Sequence, residues 1–191
     1  MPDEAGVTWE VGQPGCGKTH DAMQLAAKLS VDEGWPVLAV AGVESDSLRT
    51  NLRPATDIHQ VLHAIASRAD CYFCPQDLRD ADAVFKAVQH VGRFVLIVDE
   101  AHMFMSSRSN KAPALMAMLR TWRHVPVRIV LTTQHLSGDV PSEAISCAPR
   151  FRFFRTTNPR ALDKIRELGV DSEAVSKLPK YSYLEHFSGF A

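Results

Sequence analysis

Long apolar runs are missing from this 191-residue chain. None approaches the ~20 residues that a membrane-spanning helix needs. The first residues, Met1-Pro2-Asp3-Glu4, are acidic and lack the basic and apolar regions of a secretory leader. Charge of one sign is missing too: 21 Lys and Arg face 22 Asp and Glu, a formal net charge of −1. Bulk charge therefore gives no argument for nucleic-acid binding, and any basic surface has to be local. Cysteine is scarce, at four residues, which suits a reducing cytosol rather than a disulfide framework. Internal repeats, low-complexity tracts and interdomain linkers are absent as well. The expectation is one cytoplasmic domain over residues 1–191, long enough to bury a core without staples.

What is present is organised around Gly12-Gln13-Pro14-Gly15-Cys16-Gly17-Lys18-Thr19, a full G-x-x-x-x-G-K-T loop. It follows the short apolar run 7–11 and opens onto a helical pattern from Lys18 to about Glu33. That strand–loop–helix context is what the motif requires. Glycines let the backbone turn back and aim successive N–H groups at an anion, and the helix N-terminus adds a favourable dipole. Lys18 can reach β- and γ-phosphates, and the Thr19 hydroxyl suits Mg²⁺. The expected ligand is a nucleoside triphosphate, held by residues 12–19 with His20 next in line. Cys16, between two glycines, raises the expectation that alkylation or oxidation would disturb the site.

Further buried strands are expected at 35–41, 71–74, 94–98, 127–133 and 151–155, with a last one near 181–187. Helical spacing of apolar residues marks 57–67, 77–91, 112–123 and 159–168, the last capped by Asn158 and ended by Gly169. Residues 42–56 are polar, contain Pro54 and read as a loop, as do 103–111. Alternating helices and continuously apolar strands imply a mainly parallel sheet covered on both faces. The fold expected is a RecA-like α/β phosphate-loop NTPase of about five or more strands, with its ligand along one sheet edge.

The run 94–98 ends on Asp99-Glu100. A carboxylate at the end of a buried strand beside a phosphate loop can hold Mg²⁺, the role given to Asp99. Glu100, one residue on, can polarise a water in line with the γ-phosphate. Together the two motifs point to hydrolysis rather than binding alone. Thr132-Thr133-Gln134-His135 ends the next buried strand, where Gln134 can bond the attacking water or the γ-phosphate. Between these motifs lie Arg120 and Arg123, three residues apart near a helix C-terminus. Such cations are either solvent-facing partners of the helix dipole or a source of positive charge for a neighbouring site.

The 94–100 strand, Arg120 and Arg123, the strand 129–134 and the segment 153–157 resemble HerA–FtsK ATPases over roughly residues 7–187. The compact size looks most like the genome-packaging ATPases of tailless, membrane-containing viruses. That resemblance implies ATP with Mg²⁺ and a homo-oligomeric ring, a hexamer, that moves double-stranded DNA, with capsid or portal-vertex proteins as further partners. It also makes Gln134 a signature residue and Arg123 a trans-acting finger, with Arg120 the fallback. A second resemblance, to the zonula occludens toxin-like assembly ATPases of filamentous phages, implies secretion instead. A nucleotide-dependent adaptor is a third possibility. No Asn-Lys-x-Asp guanine reader is present, which leans toward ATP. Asp99-Glu100-Ala101-His102 also spells the four-letter motif of one helicase group, but the chain is too short for two motor domains.

DNA contacts need local cations, and the loop 106–111 or Arg49 and Arg53 could supply them. Arg150, Arg152 and Arg155 alternate with aromatics, a pattern open to a nucleic-acid surface, and the expectation is core aromatics with arginines at a strand edge or subunit contact. Cys71 and Cys74, with His59 and His63 upstream, raise the question of zinc. The unusual order and the lack of a second cysteine pair favour buried free thiols.

Overall fold

The continuously apolar strands assemble into one sheet because both of their faces are covered. The computed structural model describes residues 6–105, 112–136, 138 and 140–188. The cationic loop 106–111 therefore lies outside the described residues. The strands are β1 (Val7–Val11), β2 (Val37–Ala41), β3 (Arg53–Ala55), β4 (Cys71–Phe73), β5 (Phe94–Asp99), β6 (Val127–Thr133), β7 (Arg150–Phe154) and β8 (Tyr183–Phe187). Between them run α1 (Lys18–Glu33), α2 (Asp46–Asn51), α3 (Ile58–Ala66), α4 (Leu78–Val88), α5 (Pro113–Thr121), α6 (Ser142–Ser146), α7 (Pro159–Glu167) and α8 (Ser172–Ser176).

The strand order is β3-β4-β2-β5-β6-β1-β7-β8. Every neighbouring pair is parallel except β7 with β8. β6 therefore sits between β1, which leads into the glycine-rich loop, and β5, which ends on Asp99. The strand carrying Gln134 is interposed between the two phosphate motifs, and all three ends meet at one edge.

Side chains alternate across each strand, so one apolar run serves two layers. Val7, Trp9 and Val11 join Leu96, Ile129, Phe151 and Phe153 in the larger core, against α3 to α8. Ala39, Ile97 and Val130 face the other way, onto Ala22, Leu25 and Ala26 of α1. Full burial of such a Leu or Phe contributes about 1.5–3 kcal/mol, and the Trp9 indole satisfies its one donor on Ala144 O at 3.2 Å.

The 42–56 segment corrects the loop expectation. Ser45 accepts from Leu48 N and caps α2, while Leu48 and Leu52 are buried and hold the turn to the body. Pro54 lies in β3, which forms the sheet edge, where a missing N–H costs no ladder bond. The short helices α6 and α8 carried too few residues for a readable period. Elsewhere the expected elements are found within a few residues of their bounds. The expected cap holds: Asn158 accepts from Arg160 N at 3.0 Å.

Candidate active site

β1 delivers the chain to the loop at the carboxyl edge of the sheet, and α1 starts at Lys18. Gly12 N–H donates to Thr133 O at 3.2 Å and Gln13 N–H to Arg155 O at 3.0 Å, so the loop is anchored to both flanking strands. Two glycines are obligatory for distinct reasons. A Cβ at Gly12 would come within 2.7 Å of Phe154 Cβ, and Gly17 sits at φ 109°, outside the range of L side chains. Cys16 is 3% exposed and burial pushes its thiol up, against the pull of Lys18. This corrects the expected sensitivity to alkylation: a buried, protonated thiol reacts slowly.

Five expected residues converge. Thr19 Oγ1 donates to Asp99 Oδ1 at 3.0 Å, bringing together two hard oxygen donors of the kind Mg²⁺ takes. Lys18, 5% exposed, donates to Gln13 O at 3.3 Å and stands 3.9 Å from Glu100 Oε1. Gln134 Nε2 donates to the same Glu100 oxygen at 2.6 Å. Glu100 itself sits in the left-handed region at φ 51°, an uncommon conformation for a residue with a side chain. Burial pushes its carboxyl up, but hydrogen bonds from His102 and Gln134 and the charge of Lys18 leave it below the usual range. Its carboxyl is therefore held in the ionised form.

Sequence reasoning missed the groups behind this carboxylate. The Thr132 hydroxyl donates to Asp99 Oδ1 at 2.6 Å and accepts from Glu100 N at 3.0 Å, coupling the two acids through the interposed strand. His102 Nδ1 lies 3.3 Å from Glu100 Oε2 and 3.2 Å from Thr133 Oγ1. The His102 ring meets His135 edge-on at 5.1 Å. The legible signal was a pair of hydroxyls ending an otherwise apolar strand, together with the His of the four-letter motif. A cleft of ≈ 770 Å³ opens over Lys18, Thr19, Glu100 and Gln134, with His20, Phe154, Lys180 and Tyr181 in its wall.

The structure does not bring Arg123 to this cleft. Arg123 follows α5, before β6 begins, at the opposite end of the sheet from Gln134. Its guanidinium lies over the Trp122 ring at 5.4 Å. Arg120 grips Glu143 at 2.6 and 2.8 Å. Arg150 and Arg152 are buried and paired with Glu185, and Arg152 also bonds Asp21 at 2.6 Å, so neither offers a nucleic-acid surface. Arg49 pairs with Asp46 and Glu44, while Arg53 lies exposed on β3. Among the described residues no group of three or more His, Cys, Asp or Glu could hold a metal ion, and burial pushes the Cys71 thiol up to about 11. Among them, too, no helix is long and apolar enough to cross a membrane.

Fold and site together define a phosphate-loop NTPase with a strand interposed between its two phosphate motifs. The chain belongs to the AAA domain family, whose model matches residues 3–137, and is an ATPase. No sequence among the curated proteins matches it. In solved structures it is similar to the genome packaging NTPase B204 from Sulfolobus turreted icosahedral virus 2 in complex with ATP-gammaS. There the TM-score is 0.78 at 18% identity, covering 98% of this chain and 94% of that one. B204, the DNA-packaging ATPase from Sulfolobus turreted icosahedral virus, gives 0.75 at 20% identity, covering 98% and 93%. Thermomonospora curvata EccC (ATPases 2 and 3) gives 0.54 at 11% identity, covering 95% of this chain and 33% of that one.

Proposed function

We propose that the protein is an ATP-driven motor of the HerA–FtsK kind that moves double-stranded DNA, packaging a viral genome into a preformed capsid. The observation that carries the motor reading is the Lys18–Glu100–Gln134 array at the ends of adjacent parallel strands. The packaging role is supported by the likeness to B204 over nearly the whole of both chains.

In this reading the loop amides and Lys18 bind the β- and γ-phosphates. Thr19 and Asp99 would hold Mg²⁺, which neutralises phosphate charge when bound. Glu100 Oε1 takes a proton from the attacking water. Gln134, bonded to that same oxygen, is the group that can exchange Glu100 for water or the γ-phosphate and pass the change to β6. Arg123, a sheet's length from its own cleft, acts on the site of the next subunit in a ring, of which a hexamer is the form expected. DNA and a capsid or portal protein are the partners.

The test is a mixing assay. Arg123→Ala and Lys18→Ala chains should each lose about 10³-fold in hydrolysis. Mixed, they should regain activity, because the second supplies the arginine that the first lacks, and double-stranded DNA should raise the regained rate. No recovery in any ratio removes the trans role of Arg123. A wild-type rate unmoved by DNA across a range of salt removes translocation and favours a secretion ATPase, the reading that the likeness to the Type VII Secretion ATPase EccC supports.

A further inference from the structure

The cleft dictates which way a nucleotide runs through it. Glu100 and Gln134 follow β5 and β6 and mark the terminal-phosphate end. From there the sheet continues through β1 to β7 and β8. A nucleotide whose γ-phosphate faces Glu100 therefore carries its base toward β7 and β8. On that side the wall of the cleft is made by Phe154, Lys180 and Tyr181.

Tyr181 is held in that wall from several directions. Its N–H donates to Cys16 O of the phosphate loop at 3.0 Å. Its Cδ1 would lie 2.6 Å from a Cβ added at Gly17, so the ring edge fills the space that this glycine leaves. Lys180 Nζ lies 4.7 Å from the ring centroid. The backbone at Tyr181 is in the left-handed region, at φ 64°, where a bulky residue is an outlier that the surroundings must enforce. Yet the residue is 63% exposed, so core packing does not account for it.

We propose that Tyr181 is the stacking platform for the base of the bound nucleotide. The inference rests on the reading that the phosphates occupy the 12–19 loop. An aromatic ring offers any base a flat face, and bicyclic bases give it more contact area. Because the Tyr181 backbone is fixed to the loop, little conformational freedom is lost when a base lands on the ring. Stacking of this kind separates purine from pyrimidine by area and does not read the base edge.

Calorimetric titration of the full chain with three probes tests this: the β,γ-methylene analogues of ATP and CTP, and inorganic tripolyphosphate. Wild type should bind the ATP analogue more tightly than the CTP analogue. Tyr181→Ala should weaken the ATP analogue about tenfold, narrow the gap between the two analogues and leave tripolyphosphate unchanged. Tyr181→Phe should restore wild-type behaviour. Equal ATP-analogue binding by wild type and Tyr181→Ala overturns the proposal. So does an equal loss for tripolyphosphate, which would make Tyr181 a prop of the loop. If wild type binds no probe, the phosphate-loop reading fails first, and visibly. Should Tyr181→Ala not fold, the wild-type complex decides: a nuclear Overhauser contact between purine H8 and the Tyr181 ring is expected, and its absence at saturation overturns the assignment.

Discussion

Glu100 is the most constrained residue of the site. Its backbone is left-handed, its N–H is fixed by Thr132, and one carboxylate oxygen accepts from Gln134 while facing Lys18. A carboxyl held below its ordinary range is fully charged at neutral pH, and that charge is lost only as pH falls through a value under ~4.3. Single-turnover hydrolysis should therefore not decline on this group's account between about pH 8 and pH 6. Glu100→Gln keeps the shape and removes the base. It should slow single-turnover hydrolysis by about 10²–10⁴-fold while nucleotide binding persists, as measured by titration calorimetry. A rate within a few-fold of wild type would hand the base role to another group. The convergence of Lys18, Thr19, Asp99, Glu100 and Gln134 was legible in the sequence because each stands at a fixed offset from a strand end. Thr132 and His102 left a signal, but their partners were not legible, because they come from pairings between strand ends that no local spacing encodes.

The layer between α1 and the β1–β7 pair has its own chemistry. Glu10 on β1 is fully buried, and neither carboxylate oxygen has a hydrogen-bond partner. Burial, with Asp21 next to it, holds its carboxyl well above the usual range despite Arg152 and Lys18 nearby. The folded chain thus keeps a proton on Glu10 that the unfolded chain releases above ~4.3. Stability on this account is fully present below that pH and is lost as pH rises, at up to about 1.4 kcal/mol per unit. Glu10→Gln imitates the protonated acid. Its advantage over wild type in urea unfolding should be absent at pH 4 and grow toward pH 8; a gap independent of pH would refute the protonated state. The alternation Val7, Trp9, Val11 facing one core was plain from period two. That Glu10, on the opposite face, would be buried was not, since the local pattern does not show that α1 covers that face. Arg150 and Arg152 follow the same logic in reverse. They read as edge cations by alternation, yet they are buried, because β8 folds back antiparallel and Glu185 meets them.

At the scale of the whole molecule, the parallel order and the carboxyl-edge site followed from alternating helices and apolar strands. The three-residue edge strand β3 and the α2 turn lay beyond that reasoning, because their stability comes from neighbours already in place. One feature of the topology bears on time rather than on chemistry. β1 is flanked by β6 and β7, with Val7 opposite Ile129 and Trp9 opposite Phe151. The phosphate loop hangs from those partners through Gly12 and Gln13. A fragment ending at residue 125 retains the entire G-x-x-x-x-G-K-T motif and all of α1. It should nevertheless fail to bind tripolyphosphate by calorimetry, and measurable binding would show the loop to be self-sufficient. On a ribosome the glycine-rich loop leaves the tunnel before β6 and β7 and stays without function until those partners emerge. Nucleotide therefore cannot guide the first stages of folding; it can only reward a chain that has already threaded its first strand between two later ones.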